Sequence, residues 1–267
     1  MSFIDGIKER AKQNVKTIVL PETEDARTLE AASKVLAQGI AKVILIGNKD
    51  KVLADAKAQG LDLSNVPVVD PANCEKFDTY ASTLYELRKA KGMTEEAAKD
   101  ALLNNYLMFG VMMVKMGDAD GMVAGACHAT PDVLRPSLQV LKTAPDAELV
   151  SAFFIIDVPN CEYGEDGTFL FADSGLNQDP NPQELAAIAN SSAKSFETLV
   201  GAKARIAMLS HSTKGSAKHA LVDKMVEATN ITKEKYPNLI VDGEFQFDAA
   251  VVPSVAASKA PGDRKST

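Results

Sequence analysis

The sequence predicts an α/β protein built on largely parallel sheets. Short apolar runs at residues 17–20, 43–46 and 66–69 alternate with segments whose apolar residues have helical spacing. A second series of apolar runs begins near residue 149. Because strands joined by helices lie parallel in a sheet covered on both faces, we expect two α/β domains with binding residues at the carboxyl ends of strands.

The first domain is expected to span residues 1–148. Its first strand ends at Pro21, and the acidic residues that follow favour the start of a helix, which Gly39 ends. The apolar run at 106–116 is too long for a typical strand and is predicted to be a buried helix. The other predicted elements are strands at 43–46, 66–69 and 121–125 and helices at 50–59, 75–91 and 94–105.

The second domain is expected to span residues 149–258, with an atypical tail at 259–267. Two apolar runs, at 149–158 and 168–172, flank a turn-rich segment and predict a hairpin. The other predicted elements are a helix that begins at Asn181 and Pro182 and ends at Gly201, strands at 204–209 and 239–241, and a helix at 216–235.

Composition limits the classes of function. The 267 residues are 46% hydrophobic and have a formal net charge of −7, which argues against a nucleic-acid-binding protein but not against small anionic substrates. No run approaches the roughly 20 apolar residues of a membrane helix, and the N-terminus lacks the apolar core of a signal peptide. The three cysteines are far apart, which gives neither a disulfide framework nor metal-ligand spacing. The sequence therefore predicts a soluble cytoplasmic protein without a metal site.

The first candidate site follows the predicted strand at 121–125, in the segment from Thr130 to Arg135. Pro136 disfavours helical geometry at the residue before it, so a helix is expected to begin with Pro136 at its first position. Arg135 would then lie beside unpaired backbone amides, in a position suited to a phosphate group. The alternative is that Arg135 pairs with a surface acid and that Thr130 is an ordinary helix cap.

Residues 209–216, between a predicted strand and a predicted helix, form the second candidate site. Ser212, Thr213 and Lys214 combine hydroxyls and a cation next to a helix N-terminus, a combination typical of phosphate-binding loops. The GxxxxGK[ST] spacing of a Walker A loop is absent. The alternative is a capped turn with a solvated lysine.

Two further segments carry charge at the ends of elements. Residues 242–250 contain three acids after a strand, which could bind a metal, orient a base, bind a cationic ligand or cap the next helix. No histidine or cysteine lies nearby, so a transition metal is not expected there. Residues 87–92 contain three cations at a helix end, where they complement the helix dipole and could also reach a phosphate.

Five segments together resemble the phosphate acetyltransferase (phosphotransacetylase) family. They are LRKAKG at 87–92, FGVMMVKMGDADGMVAGACHATPDVLRPSLQVLKT at 109–143, FADSG at 171–175, MLSHSTKGSAK at 208–218 and DGEFQFDAA at 242–250. The resemblance extends over residues 1–261 and implies transfer of an acetyl group between acetyl phosphate and coenzyme A, without a bound cofactor. It also implies a fold similar to the isocitrate and isopropylmalate dehydrogenases, with two α/β domains, a cleft between them and usually a homodimer.

The resemblance implies that the cleft binds coenzyme A and acetyl phosphate through residues of both domains. The substrate-binding residues that it implies are Arg88, His128, Thr130, Arg135, Ser212, Thr213 and Lys214. Among these, Arg88 would supply a second cation for the phosphates of the coenzyme. Two residues of the 242–250 segment, Gln246 and Asp248, are candidates for supporting the substrate-binding residues.

The family pattern also implies residues that this chain does not supply. After Pro261 the chain departs from the family, whose C-terminal segment carries an arginine and the aspartate thought to act as base, so the catalytic residues here are unknown. Direct attack of the coenzyme thiolate in a ternary complex is expected, because no Cys–His or Ser–His pair suggests an enzyme nucleophile. Two alternatives stay open: an enzyme for a longer acyl phosphate such as butyryl phosphate, and a truncated, non-catalytic chain of low stability.

Overall fold

The structure is a computed structural model that describes residues 3–260. It divides into two compact units, Met1–Lys142 and Thr143–Thr267. The expected domain limit at residue 148 stays a prediction, and residues 261–267 of the predicted tail lie outside the described residues. Within the described part of the chain, no helix has the length and apolar character needed to cross a membrane.

The sheet of the first unit has four strands, β1 (Lys16–Leu20), β2 (Ala41–Ile46), β3 (Val68–Val69) and β4 (Gly121–Met122). The strands are parallel and lie in the order β3-β2-β1-β4. This arrangement confirms the predicted parallel sheet. The strand order reverses between β1 and β4, so the segments that follow these two strands meet at the switch point where open α/β sheets usually bind ligands.

The fourth strand is shorter than the predicted strand at 121–125. The amide of Val123 still donates to the carbonyl of Val19 at 3.0 Å, but the chain then turns at Gly125, whose φ is 107°. From Gly125 onward, backbone amides donate to a side-chain carboxylate instead of a neighbouring strand. Because that acceptor is distant in sequence, the apolar pattern alone could not show where the strand ends.

Helices cover both faces of this sheet, as the alternation of elements predicts. The helices of this unit are α1 (Phe3–Gln13), α2 (Ala26–Gln38), α3 (Lys49–Ala58), α4 (Phe77–Arg88), α5 (Glu95–Asn104), α6 (Tyr106–Lys115) and α7 (Thr130–Val140). In β1, Val19 packs in a core with residues of α4, α5 and α6, whereas its neighbour Leu20 packs on the other face with residues of α2 and α3.

Helix α6 is the buried helix that the long apolar run predicts. Phe109 and Met112 are fully buried, and Gly110 lies against the sheet. A Cβ atom at Gly110 would lie 2.8 Å from the Sδ of Met122 and 3.2 Å from a Cγ atom of Val19. The missing side chain therefore sets how closely α6 approaches β1 and β4.

The second unit contains a hairpin and a parallel pair of strands. Its strands are β5 (Phe153–Asp157), β6 (Thr168–Ala172), β7 (Arg205–Leu209) and β8 (Ile240–Phe245), and its helices are α8 (Pro182–Val200), α9 (Ala220–Lys235), α10 (Phe247–Val251) and α11 (Pro253–Lys259). The antiparallel pairing of β5 with β6 confirms the predicted hairpin, although β5 is shorter than the predicted strand at 149–158. Helix α8 begins with a capping box of Asn181 and Glu184 and ends at Gly201, as predicted.

Helix α9 begins at Ala220, later than the predicted start at residue 216. The Oγ of Ser216 accepts a hydrogen bond from the amide of Thr213 at 3.0 Å, and this bond keeps Ser216 in the preceding loop. The side chain of His219 caps the helix instead, because its Nδ1 accepts a hydrogen bond from the amide of Leu221. The loop that carries the second candidate site is therefore longer than predicted.

Candidate functional site

The segment after β4 does not have the helix start that the sequence predicts. Helix α7 begins at Thr130 and continues through Pro136, so Arg135 lies inside the helix and not beside its first amides. Pro131 suits the first turn, where no amide partner is needed. Pro136 is buried inside this helix. We attribute its position to burial of its side chain, which outweighs the free-energy cost of a proline in a helix interior. The predicted anion site at the helix N-terminus is thus wrong for Arg135.

The structure nevertheless brings Arg135 together with Arg88. Both residues line a pocket of about 380 Å³ between α4 and α7, whose other lining residues are Pro131, Leu134, Leu138 and Gln139. The Nε of Arg88 is buried and has no hydrogen-bond partner within residues 3–260. A buried donor without a partner is costly, so this pocket offers an anion both a strong donor and the nearby guanidinium of Arg135.

The switch point between β1 and β4 is occupied by Glu22, which the sequence indicated only as one of the acids that favour the start of a helix. Its Oε2 accepts hydrogen bonds from the amides of Gly125 and Ala126, both at 2.7 Å. Its Oε1 accepts from the amides of Cys127 and His128, at 3.1 and 3.0 Å. The carboxylate is only 2% exposed, and it stabilises the backbone of residues 125–128 in one conformation.

The protonation state of Glu22 follows from these contacts. Burial raises the pKa of the Glu22 carboxyl, but the amide bonds from Ala126, Cys127 and Gly125 and the side-chain bond from His128 outweigh it and lower the pKa to about 2. At neutral pH the side chain is therefore an ionised carboxylate and a pure hydrogen-bond acceptor.

His128 is held by the same carboxylate. Its Nδ1 lies 2.8 Å from Oε1 of Glu22, and its ring is partly exposed. The Sγ of Cys127 lies 3.6 Å from that ring nitrogen and 3.6 Å from a carboxylate oxygen of Glu24. Desolvation and the charges of Glu24 and Glu22 raise the pKa of the Cys127 thiol to about 11, so it is not a thiolate at neutral pH.

The residues Glu22, Cys127 and His128 also have the atom types of a metal site, within 4.8 Å of one another. The carboxylate already accepts four amide hydrogen bonds and one from the imidazole. Hydrogen bonding alone therefore accounts for this cluster. Thr130, the remaining predicted residue of this segment, is the exposed first residue of α7.

The loop after β7 in the second unit is also organised by a buried glutamate. Oε1 of Glu244 accepts hydrogen bonds from the Oγ of Ser212 at 2.9 Å and from the amide of Gly215 at 2.7 Å. Burial raises the pKa of Glu244, but these hydrogen bonds and the nearby charge of Lys214 together lower it below its usual value. The side chain of Ser212 thus forms hydrogen bonds within the protein and is fully buried.

Thr213 and Gln246 connect the same loop to the end of β8. The Oγ1 of Thr213 accepts a hydrogen bond from the amide of Gln246 at 2.9 Å and donates to its Oε1 at 3.4 Å. The Nζ of Lys259 lies 2.9 Å from that Oε1 and 2.9 Å from Oδ2 of Asp248. Gln246 and Asp248 therefore share one cation behind the loop.

Lys214 lies at the turn of this loop, with a positive φ of 47°. Its Nζ is 2.9 Å from Oδ2 of Asp242 and 3.0 Å from the carbonyl oxygen of Gly243, and it lies 4.7 Å from the centre of the Phe245 ring. The amine is therefore held against β8, which differs from the solvated lysine of the alternative interpretation.

A larger pocket of about 650 Å³ lies beside β2 and β3 and contains none of the predicted site residues. Several of its polar groups pair with one another. Lys76 and Tyr80 both contact Asp118, and the side chain of Asn73 donates to Asp70. These polar groups therefore already have partners within the protein, whereas the predicted cations Arg88 and Arg135 line the smaller pocket.

Comparison with known proteins gives consistent matches along the chain. Residues 2–265 match a protein-family model described as "Phosphate acetyl/butaryl transferase". A phosphate acetyltransferase of Acetivibrio thermocellus is 56% identical over 262 residues, which cover 98% of this chain and 78% of that protein.

Two solved structures have the same fold. The EutD phosphotransacetylase from Staphylococcus aureus superimposes with a TM-score of 0.88 at 40% identity and covers 99% of this chain and 78% of its own. A phosphotransacetylase from Streptococcus pyogenes gives a TM-score of 0.89 at 39% identity, over 98% of this chain and 77% of its own.

Proposed function

This chain belongs to the phosphate acetyl/butaryl transferase family, and we propose that it acts as a phosphate acetyltransferase. It transfers an acetyl group reversibly between acetyl phosphate and coenzyme A. The reaction needs cations and donors for phosphate groups, a thiolate nucleophile and stabilisation of the carbonyl oxygen as negative charge develops there. Coenzyme A is a co-substrate of this reaction, so no bound cofactor is required.

The observation that carries this proposal is the pairing of Arg88 with Arg135 in one pocket. Their guanidinium groups suit the oxygens of a phosphate or pyrophosphate, and the buried Nε of Arg88 would gain the partner that it lacks among residues 3–260. Apolar side chains of Pro131, Leu134 and Leu138 form the rest of the pocket. This combination of charge and apolar surface suits the phosphate end of coenzyme A.

The loop after β7 supports a phosphate-binding role for Lys214. Its hydroxyl neighbours Ser212 and Thr213 are buried and bonded to Glu244 and Gln246, so we assign them to holding the loop and not to direct contact with substrate. Lys214 then supplies the positive charge. Gln246 stabilises the loop through its hydrogen bonds with Thr213. Asp248 supports Gln246 indirectly, because the amine of Lys259 contacts both side chains.

Direct attack of the coenzyme thiolate on acetyl phosphate is the mechanism that the site supports best. The cysteine nearest the first candidate site, Cys127, has a raised pKa and is a poor nucleophile at neutral pH. Positioning two substrates in one site can contribute on the order of 7–11 kcal/mol in favourable cases. No enzyme-bound acetyl intermediate is therefore needed.

We also propose a cytoplasmic homodimer. Part of the hairpin carries exposed apolar side chains, among them Phe154, which is 63% exposed, and Ile156. Such a patch favours contact with a second copy of the chain. The net charge of −7 gives no support to a nucleic-acid partner.

The experiment that tests the function measures acetyl-coenzyme A formed by the purified protein from acetyl phosphate and coenzyme A, and the release of free thiol in the reverse reaction. Butyryl phosphate is tested as the second acyl donor under the same conditions. We expect turnover in both directions and a preference for acetyl phosphate. Loss of preference would favour a broader acyltransferase, and a protein without turnover on either donor would contradict the proposed function.

A further inference from the structure

The sulfur of Cys127 has three polar atoms around it at the same distance. Its Sγ lies 3.6 Å from Oε1 of Glu22, 3.6 Å from Oε1 of Glu24 and 3.6 Å from Nδ1 of His128. A thiol has one hydrogen, so it can donate to only one of these atoms. Hydrogen bonding holds the cluster together without a metal, but it leaves part of the surroundings of the sulfur unused.

The spacing around the sulfur is the spacing of ligands around a tetrahedral zinc ion. With Zn–S bonds of about 2.3 Å and Zn–N or Zn–O bonds of about 2.0–2.2 Å, a tetrahedral angle places sulfur about 3.5 Å from the other ligand atoms. Oε1 of Glu22 and Nδ1 of His128 lie closer together, at 2.8 Å, because they share a hydrogen bond. Zinc would move these two atoms apart by about half an ångström. The imidazole ring is 36% exposed and has room for this movement.

We propose that Cys127, His128, Glu22 and Glu24 form a zinc-binding site in the first unit. The first three residues offer ligand atoms that lie within 4.8 Å of one another. Glu24 is exposed and lies beside the sulfur, so a rotation of its side chain supplies the fourth ligand. Thiolate, imidazole and carboxylate together suit zinc, whereas magnesium and calcium prefer oxygen ligands alone.

The position of the four ligands in the chain explains why spacing did not indicate this site. Glu22 and Glu24 follow β1, whereas Cys127 and His128 follow β4, about a hundred residues later. The two pairs meet because β1 and β4 are neighbouring parallel strands. The inference goes beyond the proposed acetyl transfer and does not depend on it.

The charge around the sulfur favours a divalent cation. Desolvation and the charges of Glu24 and Glu22 raise the pKa of the Cys127 thiol to about 11. The two carboxylates therefore disfavour a third negative charge when no cation is present. A zinc ion between the three groups offsets this repulsion and stabilises the thiolate as a ligand.

Two cationic side chains interact with these glutamates, and each has a carboxylate partner of its own. Arg27 pairs with Asp25 at 2.6 Å and donates to the carbonyl oxygen of Ala126. Lys51 pairs with Asp55 at 2.6 Å. Because each of these pairs is neutral as a whole, the negative charge of the two glutamates remains to attract a metal ion.

Binding requires only an exchange of protons. The thiol of Cys127 releases its proton to solvent, and the imidazole proton of His128 moves from Nδ1 to Nε2. Glu22 exchanges its hydrogen bond from the ring for the metal and keeps its four amide hydrogen bonds. These amides fix the orientation of the carboxylate, which is how residues around a metal site usually support a ligand.

The first test measures metal binding by the full chain without an affinity tag, after removal of metals with a chelator and under reducing conditions. Zinc titrated in competition with a chromophoric chelator should show one tightly bound equivalent per chain. Cobalt in place of zinc should give the visible absorption of a tetrahedral ion and the charge-transfer band of a cobalt–thiolate bond. In Cys127→Ser the charge-transfer band should disappear. Zinc affinity should fall by more than the roughly 10- to 100-fold that is typical when a residue supporting a ligand is lost.

The matched control is Cys161→Ser, because Cys161 belongs to the second unit and its thiol contacts the carbonyl oxygen of Tyr163. This variant should bind zinc as the wild-type protein does. Glu24→Gln should weaken binding less than Cys127→Ser does, since water can take the place of the fourth ligand. Cys127 and Glu24 are both exposed, so we expect these variants to fold.

Equal zinc affinity in Cys127→Ser and the wild-type protein would overturn the inference, and so would a cobalt spectrum of the wild-type protein without the thiolate band. If Cys127→Ser does not fold, the wild-type cobalt spectrum and the protection of Cys127 from alkylation by zinc still decide the question. A protein that transfers acetyl groups but binds no zinc would contradict only this inference. A protein that binds zinc and shows no turnover after removal of the metal would contradict only the proposed function.

Discussion

The Nζ of Lys214 lies 2.9 Å from Oδ2 of Asp242, and the same amine contacts the carbonyl oxygen of Gly243. Asp242 also pairs with Lys233 at 2.6 Å, so the carboxylate keeps a cation when one lysine moves. Lys214 can therefore exchange an internal partner for a substrate phosphate without leaving Asp242 unpaired.

Lys214→Ala should lower acetyl transfer more than Lys89→Ala. Lys89 is an exposed residue at the end of α4 that pairs with Glu86, and it serves as the matched control. Loss of a charge-assisted hydrogen bond costs about 1.5–3 kcal/mol, which corresponds to a decrease of about 10- to 100-fold in kcat/KM. The measurement is steady-state kinetics on both variants. Equal effects would show that the loop after β7 does not bind phosphate.

Arg135→Ala should raise KM for coenzyme A by about tenfold or more, while its melting temperature stays close to the wild-type value. Arg135 is exposed on α7, so its removal leaves the core intact. Arg135→Lys is the informative partner because it keeps the charge but loses the planar fork. We expect partial recovery in that variant. An unchanged KM for both substrates in Arg135→Ala would exclude this residue from the site.

Gly110→Ala should destabilise the protein by about 1–3 kcal/mol, because overpacking outweighs the helix propensity of alanine. The new methyl group would lie closer to the Sδ of Met122 than Cβ atoms normally approach, and its contact with Val19 would be tighter than most Cβ contacts. Gly6→Ala in α1 is the control, since nothing lies within 4 Å of the added atom. That variant should gain up to about 1 kcal/mol. Urea unfolding of both variants gives the comparison, and equal shifts would show that α6 can move away from the sheet.

The Glu22→Gln variant should lose less stability on acidification than the wild-type protein does. Although burial raises its pKa, hydrogen bonding brings the folded-state pKa of Glu22 from 4.5 down to about 2. A lowered folded pKa stabilises the protein above pH 4.5, and this stabilisation is lost as the pH falls from 4.5 towards 2. At neutral pH the contribution is about 3 kcal/mol. Unfolding free energies from neutral pH to about pH 3 should fall less steeply in this variant than in Glu24→Gln. Parallel curves would assign the acid sensitivity to other groups.

Local sequence signals were sufficient for much of the fold. Asn181, Pro182 and Gly201 marked both ends of α8, and the apolar run at 106–116 identified α6 as buried, because capping and burial depend on residues close in sequence. The start of α7 was predicted wrongly. The local preference against helix before Pro136 is real, but the burial of that proline is a property of the folded core.

The candidate site was predicted only in part. The sequence predicted Arg88, Arg135 and the loop with Lys214 as candidates, and the structure shows that the two arginines line one pocket. Their roles stay a prediction. The sequence indicated Glu22 only as an acid at a helix start and not as a site residue, because its partners lie more than a hundred residues away. The one available signal was topological: the segments after two neighbouring parallel strands converge when the strand order reverses between them.

The position of Glu22 has a consequence for how acetyl phosphate would be oriented. The amides of residues 125–128 point at one spot, an arrangement that in many proteins receives a phosphate. Here the chain supplies its own anion to that spot, so an incoming phosphate group would meet like charge. A phosphoryl group would therefore be repelled from this corner of the first unit. The loop is also ordered before any ligand arrives, so binding does not have to overcome the conformational entropy of four backbone residues.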